Sequence, residues 1–573
     1  MKLNRISLIS VLVLLSHIAL SENKFDVKAD MGTMTAFYRN QPVLVEWIYK
    51  TPENIQMQIP SFMKDKKISF TYKARPYPSE ILFCDNITLV RFLGGWSAAK
   101  MNESIEGAAK VDLAYRGTDG KIKYRWELLP ARLDPVLKMG YTKPVIVLDN
   151  IPWCFPRTAS EPDNEKAAAN KQPKGYGQNK QPSDMNEWTT FITDLCREMV
   201  RLYGFETVNQ WGFRLGTEMN GRARWDGTVD EYNAFYIATA KAVQKVLPGA
   251  RFGAYNRAGA EYEGLAKLAG LAKNENVPFD WIATSFYSVL KPKDNRSNFD
   301  ALDPDVAVQS QNVPTWKAVA EASVKGNNLS REIHEYGWFL VNEYGYNDNA
   351  PGARGVAGNF YNMFTLRKAG LDKLYHWNLK DPVWENKTPL LSSLAWLFSI
   401  LDYTVGSKNA ELNYELKNPV QKSQKFKSVG FFNDSGKSYI MTACYNMDRN
   451  ELTSNEISVY IPKKLLKKPK YKITATWYNN ETDPYMQVRN DLAENGLLAQ
   501  ELIDKPQLIQ PVNMMCPGKK GNKLVADNYA TYENMMRDNL ILKKYPGKIK
   551  YTDEGVVLIF KIESPMVMLI SME

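Results

Sequence analysis

From about residue 85 to residue 400, short apolar runs alternate with longer stretches in which apolar residues return every three or four positions. The runs at 88–93, 110–115, 144–149, 211–217, 251–255, 281–286, 330–335 and 373–378 read as eight strands. Strand-like runs alternating with amphipathic helical stretches are the pattern of a parallel α/β sheet. Two intervening helices are explicit. Trp188, Phe191, Ile192, Leu195, Met199, Leu202 and Tyr203 share one helical face, and Gly204 is a natural stop. Thr228-Val-Asp-Glu231 is a capping-box pattern ahead of Tyr232, Phe235, Tyr236, Thr239, Val243 and Leu247, and Pro248-Gly249 ends that run. Eight such repeats predict an α/β fold, a (β/α)8 TIM barrel over residues 85–404.

After residue 405 the period changes to two. The runs at 438–445, 456–461, 471–478 and 556–562 are separated by Asn, Asp, Gly, Lys and Pro. They predict a C-terminal antiparallel β-sandwich domain over 405–573. Residues 22–84 hold strand-like runs at 42–49 and 67–72. This β-rich lead-in either enters the barrel or pairs with the sandwich. The polar segment 157–185 follows the third strand, so it leaves the face where barrel active sites lie. It reads equally as a substrate-covering loop or a disordered insertion.

Residues 1–21 carry Lys2 and Arg5, an apolar stretch and Ala19-Leu-Ser21, the layout of a secretory signal. The mature chain is expected to be secreted or periplasmic with no membrane span. Removing the leader lowers the formal charge from +10 to +8. That excess is spread along the chain apart from the 463–472 run, so nucleic acid is not the expected partner and an anionic polysaccharide is compatible. Fourteen Trp and 31 Tyr suit a protein that stacks planar faces on sugar rings. Five widely spaced cysteines form no disulfide framework or zinc motif. Three histidines, one of them in the leader, nearly exclude a multi-histidine metal centre. No GxSxG elbow supports a serine hydrolase, and no cofactor is expected.

The chemistry concentrates at two glutamates. Glu218 ends the fourth candidate strand, in Trp211-Gly-Phe-Arg-Leu-Gly-Thr-Glu-Met-Asn220, and Glu335 ends the seventh, in Arg331-Glu-Ile-His-Glu-Tyr-Gly337. Those strands lie on opposite sides of a small barrel, so their terminal carboxyls can face each other across a bond. Two carboxyls about 5–5.5 Å apart are what retaining glycoside hydrolysis requires. Strict alternation sets the nearby Glu332 on the opposite face from Glu335.

The stretch from Trp188 to Asn220 resembles glycoside hydrolases of family 39, in which a helix ending Arg-Tyr-Gly precedes a strand ending Asn-Glu-Pro-Asn. Looser matches are 124–140, Phe279-Asp-Trp-Ile-Ala-Thr-Ser-Phe-Tyr287 and Leu374-Tyr-His-Trp-Asn378. The resemblance implies a retaining (β/α)8 enzyme with Glu218 as acid/base and Glu335 as nucleophile. Thr217 stands where the family has the Asn that holds the sugar 2-hydroxyl, which points to an unusual or substituted sugar. Tyr287, His334 and His376 end strands and border the expected site. Trp96, Trp153 and Trp377 are candidate sugar platforms, and Asn220 closes the motif. Arg222 and Arg224 offer forked donors to a carboxylate or sulfate, and Arg91 is expected to face inward. The expected function is cleavage of a poly- or oligosaccharide, exo-acting on an anionic or sulfated glycan. The alternatives are an endo-acting relative and an inactive carbohydrate-binding barrel. Oligomeric state is not legible.

Overall fold

The computed structural model describes residues 23–34, 38–39, 89–91, 93–95, 109–138, 142–155, 177–219, 224–256, 262–287, 303–337, 340–341, 347–348, 352–376, 393–420, 423–447, 451–504, 515 and 518–573. The expected leader, Trp96, Asn220, Arg222, Trp377 and most of the 157–185 segment lie outside them, as do the side chains of Arg91, Tyr287 and His376.

A parallel sheet forms the centre. Its six inner strands are β3 (Val145–Leu148), β4 (Gly212–Leu215), β5 (Arg251–Asn256), β6 (Trp281–Tyr287), β7 (Ser330–Gly337) and β8 (Lys373–His376). Short strands extend it at both edges, β1 (Tyr38–Arg39) beside β8 and β2 (Leu89–Arg91) beside β3. The sheet is curled. In a flat sheet β4 and β7, three places apart, would be about 14 Å from each other. Yet Arg214 Nη1 on β4 lies 3.0 Å from His334 Nδ1 on β7, a contact that only a concave face permits.

The two predicted helices are α1 (Met185–Tyr203) and α2 (Val229–Gln244). Asp184 caps α1 by accepting from the Asn186 and Glu187 amides, and Thr228 and Glu231 form the capping box of α2. Trp188 Nε1 donates to Thr239 Oγ1 at 2.9 Å, which fastens the two helices.

One predicted strand is corrected. Within 110–115 the chain does not join the parallel sheet; Ala114–Arg116 pairs antiparallel with Ile122–Tyr124 in a separate hairpin. The Asp119-Gly120 dipeptide between them is a hairpin signal that outweighs the apolar run. The sheet instead takes β1 from before residue 85. One strand is lost and one gained ahead of β3, so Glu218 still follows the fourth strand and Glu335 lies near the end of the seventh.

The C-terminal part holds two antiparallel sheets. The larger runs Val27–Thr33, Lys408–Leu412, Gln424–Phe432, Ser438–Asn446, Met566–Met572, Ile473–Asn479, Lys543–Lys544, so the N-terminal segment supplies its edge. The smaller runs Tyr414–Leu416, Ser454–Pro462, Gly555–Glu563, Lys548–Tyr551. Met566–Met572 is apolar on both faces for a reason. Met566, Met568, Ile570 and Met572 fill the core between the sheets, while Val567 and Leu569 join the core that continues into the parallel-sheet domain. A helical insertion interrupts the pattern: Pro484–Glu494, Lys519–Asp527 and Tyr529–Asp538 pack Tyr485, Val488, Tyr532 and Met536 into that same core. Among the described residues, Cys154, Cys196 and Cys444 are free thiols, and no helix is long and apolar enough to cross a membrane.

Candidate functional site

The chain leaves β4 in a tight turn. Gly216 sits at φ +69°, and a Cβ there would lie 2.1 Å from Met219 Sδ. Glu218 itself has φ +50°, in the left-handed region that residues with a Cβ occupy at a penalty of roughly 1–3 kcal/mol. Four bonds hold this turn. The Gly216 amide donates to Leu148 O at 3.1 Å, and Tyr232 Oη donates to Leu215 O at 3.3 Å. Arg214 Nη2 donates to Thr217 Oγ1 at 2.9 Å. Ser285 Oγ on β6 donates to Glu218 Oε1 at 2.6 Å. Thr217 is fully buried and Glu218 half-buried.

On β7 the register slips by one residue. Ile333 pairs with Thr284, but Glu335 pairs with Ser285, so His334 is an extra residue in a bulge. The bulge resets the alternation. Glu332 and His334 reach across the concave face to Arg251 and Arg214, whereas the Tyr336 hydroxyl accepts from Asn362 Nδ2 on α3 (Ala353–Lys368), outside the sheet. Glu335, next to Tyr336, therefore faces inward like His334. The expectation that Glu332 and Glu335 occupy opposite faces is thus corrected, because strict alternation does not survive a bulge. Glu335 is 4% exposed and lies level with Ser285, about 4.8 Å away across the strand spacing. Ser285 is in turn bonded to Glu218, so one serine links the surroundings of both glutamates.

Beneath them is a charged floor. The buried Glu332 carboxylate accepts from Arg251 Nη2 at 2.8 Å, Ser330 Oγ at 2.8 Å and His334 Nε2 at 2.8 Å, with Lys373 Nζ at 3.4 Å. Burial alone would raise its pKa; Lys373, Arg251 and His334 together outweigh this and hold it well below the usual carboxylate range. Burial pushes His334 down to about 4 against the opposing pull of Glu332. A guanidinium can only donate, so His334 Nδ1 must accept from Arg214 and the ring proton sits on Nε2.

Asp112 organises the adjoining rim. Its carboxylate accepts from the Gly95 amide at 2.7 Å and the Trp153 amide at 2.7 Å, tying the segment after β2 to the one after β3. Burial raises its pKa to about 7, opposed by those two amides and by Arg132 and Arg125. Gly95, at φ +61°, has no room for a Cβ, which would lie 2.0 Å from Ile151 O. Trp153 is held half-buried, and Arg224 is 9% exposed. Ser285, Arg214 and Asp112 were not singled out from sequence, and Glu332 was noted only as a neighbour of Glu335. A charged residue within an apolar strand, as in Phe213-Arg-Leu215, was the available signal. Among the described residues no group of three His, Cys, Asp or Glu is placed to hold a metal ion.

With this geometry in view, the likenesses are consistent. The family model for glycosyl hydrolases family 39 matches residues 114–328, which include Glu218 and stop short of Glu335. An alpha-1,4-L-rhamnosidase of Formosa agariphila is 26% identical over 382 residues, 63% of this chain and 72% of that protein. A beta-xylosidase of Caldicellulosiruptor saccharolyticus is 27% identical over 31% of this chain and 34% of its own length. In structure, a monomeric beta-xylosidase of Caulobacter crescentus aligns with a TM-score of 0.58 at 15% identity, over 96% of this chain and 98% of that one. At that identity the likeness establishes the fold alone. The family model, matched over part of the chain, and the curated relatives together show a glycosidase acting on carbohydrate that is similar to glycoside hydrolases of family 39.

Proposed function

We propose that the protein is an exported, retaining exo-glycosidase that removes α-L-rhamnosyl residues from an anionic polysaccharide or its fragments. The curled sheet closes into a (β/α)8 barrel between β1 and β2, with Glu218 and Glu335 at its mouth. The observation that carries this reading is the juxtaposition at Ser285: its hydroxyl bonds Glu218, and Glu335 lies level with it on the neighbouring strand. Glu335 attacks the anomeric carbon as Glu218 gives its proton to the departing oxygen, and a glycosyl ester forms on Glu335. Glu218 then takes a proton from water, the water oxygen bonds to the anomeric carbon, and Glu335 is released as carboxylate. The sugar leaves with its original configuration.

Rhamnose is favoured over xylose because the rhamnosidase relative matches twice as much of this chain as the xylosidase does. Thr217 in place of an asparagine supports a sugar other than a plain β-xyloside. The +8 charge of the chain without its leader and the Arg222/Arg224 pair support an anionic substrate, and residues 1–21 support export. The mature protein is expected to release L-rhamnose from α-1,4-linked oligosaccharides at least about tenfold faster than it cleaves 4-nitrophenyl β-D-xyloside. The opposite order of rates would remove the rhamnoside assignment, and release of internal fragments without free rhamnose would remove the exo mode.

A further inference from the structure

We propose that Arg214, braced by His334 and Glu332, is a positioning residue that aims Glu218 and keeps Glu335 ionised; this rests on the roles given to the two glutamates above. The geometry is one connected chain through the inside of the sheet. Glu332 receives the Nε2 proton of His334, and His334 Nδ1 receives one N–H of Arg214. A second N–H of Arg214 goes to Thr217 Oγ1. Every member is at most 1% exposed, so water cannot substitute for any of these bonds, and each fixes the direction of the next. Thr217 immediately precedes Glu218, whose left-handed backbone persists only if its neighbours hold it.

The two ends of the chain meet the two candidate catalytic groups. On β4 the guanidinium grips the residue before Glu218, and on β7 it grips the residue before Glu335. Removing Arg214 should therefore disturb both. The charge is also placed to matter. His334 cannot carry it, because a proton on Nδ1 would confront the Arg214 N–H. Among the described residues the permanent cation bonded at this level is Arg214, and a buried cation near a carboxylate favours its ionised form. Arg251 and Lys373 lie deeper, on Glu332.

The test uses the full mature enzyme with 4-nitrophenyl and methyl α-L-rhamnosides as probes. A nitrophenol departs without help, whereas methanol needs the proton of Glu218. Arg214→Met should lose about tenfold or more extra kcat on the methyl glycoside relative to the nitrophenyl one, with KM within about threefold. The acid limb of its kcat/KM profile should rise by about one pH unit. Arg214→Lys keeps the charge and should keep the acid limb while losing part of the leaving-group selectivity. Thr217→Val keeps the cation and removes its acceptor. It should show the leaving-group defect with the acid limb unmoved, and it carries the test if Arg214→Met fails to fold. Folded Arg214→Met with parental selectivity and acid limb, or Thr217→Val with parental selectivity, overturns the proposal while the two-glutamate reading stands. A parent inactive on both probes, or full activity in Glu218→Gln and Glu335→Gln, overturns that reading and this proposal with it.

Discussion

His334 shows how a buried group can be read from its partners. Arg214 on Nδ1 and Glu332 on Nε2 leave one neutral tautomer, and the pKa of about 4 in place of 6.5 expresses the penalty for a second proton. Because the folded value lies below the unfolded one, the unfolded chain binds more protons between them. The contribution is therefore complete above pH 6.5 and is lost as pH falls from 6.5 through 4, on the order of 3 kcal/mol. Asp112 and Asp483 act in the opposite sense. Raised to about 7 and about 6 from 3.8, they lend stability at low pH that fades as pH rises through those values. The histidine is isolated by comparing parent with His334→Asn in denaturant melts at pH 7 and pH 4.5. The parent should lose more stability between them, and equal losses would show that His334 is not held neutral. Glu218 was legible in the sequence because its motif is local. Arg214 and Ser285 were not, because their partners stand 120 and 67 residues away and meet only across or along the curled sheet.

At the scale of elements, several strands read from the sequence are buried at every position, such as Val145–Leu148 and Gly212–Leu215. Tyr38–Arg39 is two residues long and can show no period. The bulge at His334 was hidden for another reason: adding one residue to a strand leaves composition and length almost unchanged, while it turns Glu335 to the same side as His334. Alternation misled here because the strand is bulged between Ile333 and Glu335. The joints between elements are equally exacting. Gly95 links the ends of β2 and β3 through Asp112 and receives the Gln178 amide on its carbonyl at 2.6 Å. Gly95→Ala should destabilise the protein by on the order of 3 kcal/mol, since its Cβ meets Ile151 O and its backbone conformation is left-handed. Thermal melting against the parent checks this, and an unchanged melting temperature would mean that the rim does not hold this close approach.

Across the whole molecule, the sheet domain and the sandwich share a core through α3. Phe364 meets Phe431 edge-on at 5.5 Å and Tyr361 meets Tyr445 at 5.7 Å. Asp483 accepts from the Ala353 amide that starts α3 and from Tyr478 Oη of the larger sheet. The period-two pattern disclosed the strands of that sandwich. It could not disclose the helices of 484–538, whose buried residues join the core that the larger sheet shares with the parallel-sheet domain. The end of the parallel sheet where β4, β6 and β7 bring Glu218, Ser285 and Glu335 together is the feature on which the proposed function rests. The most direct test is to react the Glu218→Gln variant, which lacks the base for the second step, with 4-nitrophenyl α-L-rhamnoside and map the modified peptide by mass spectrometry. One deoxyhexosyl group on Glu335 is the predicted result. An adduct on another residue, or turnover without an adduct that yields the inverted sugar, would contradict the account.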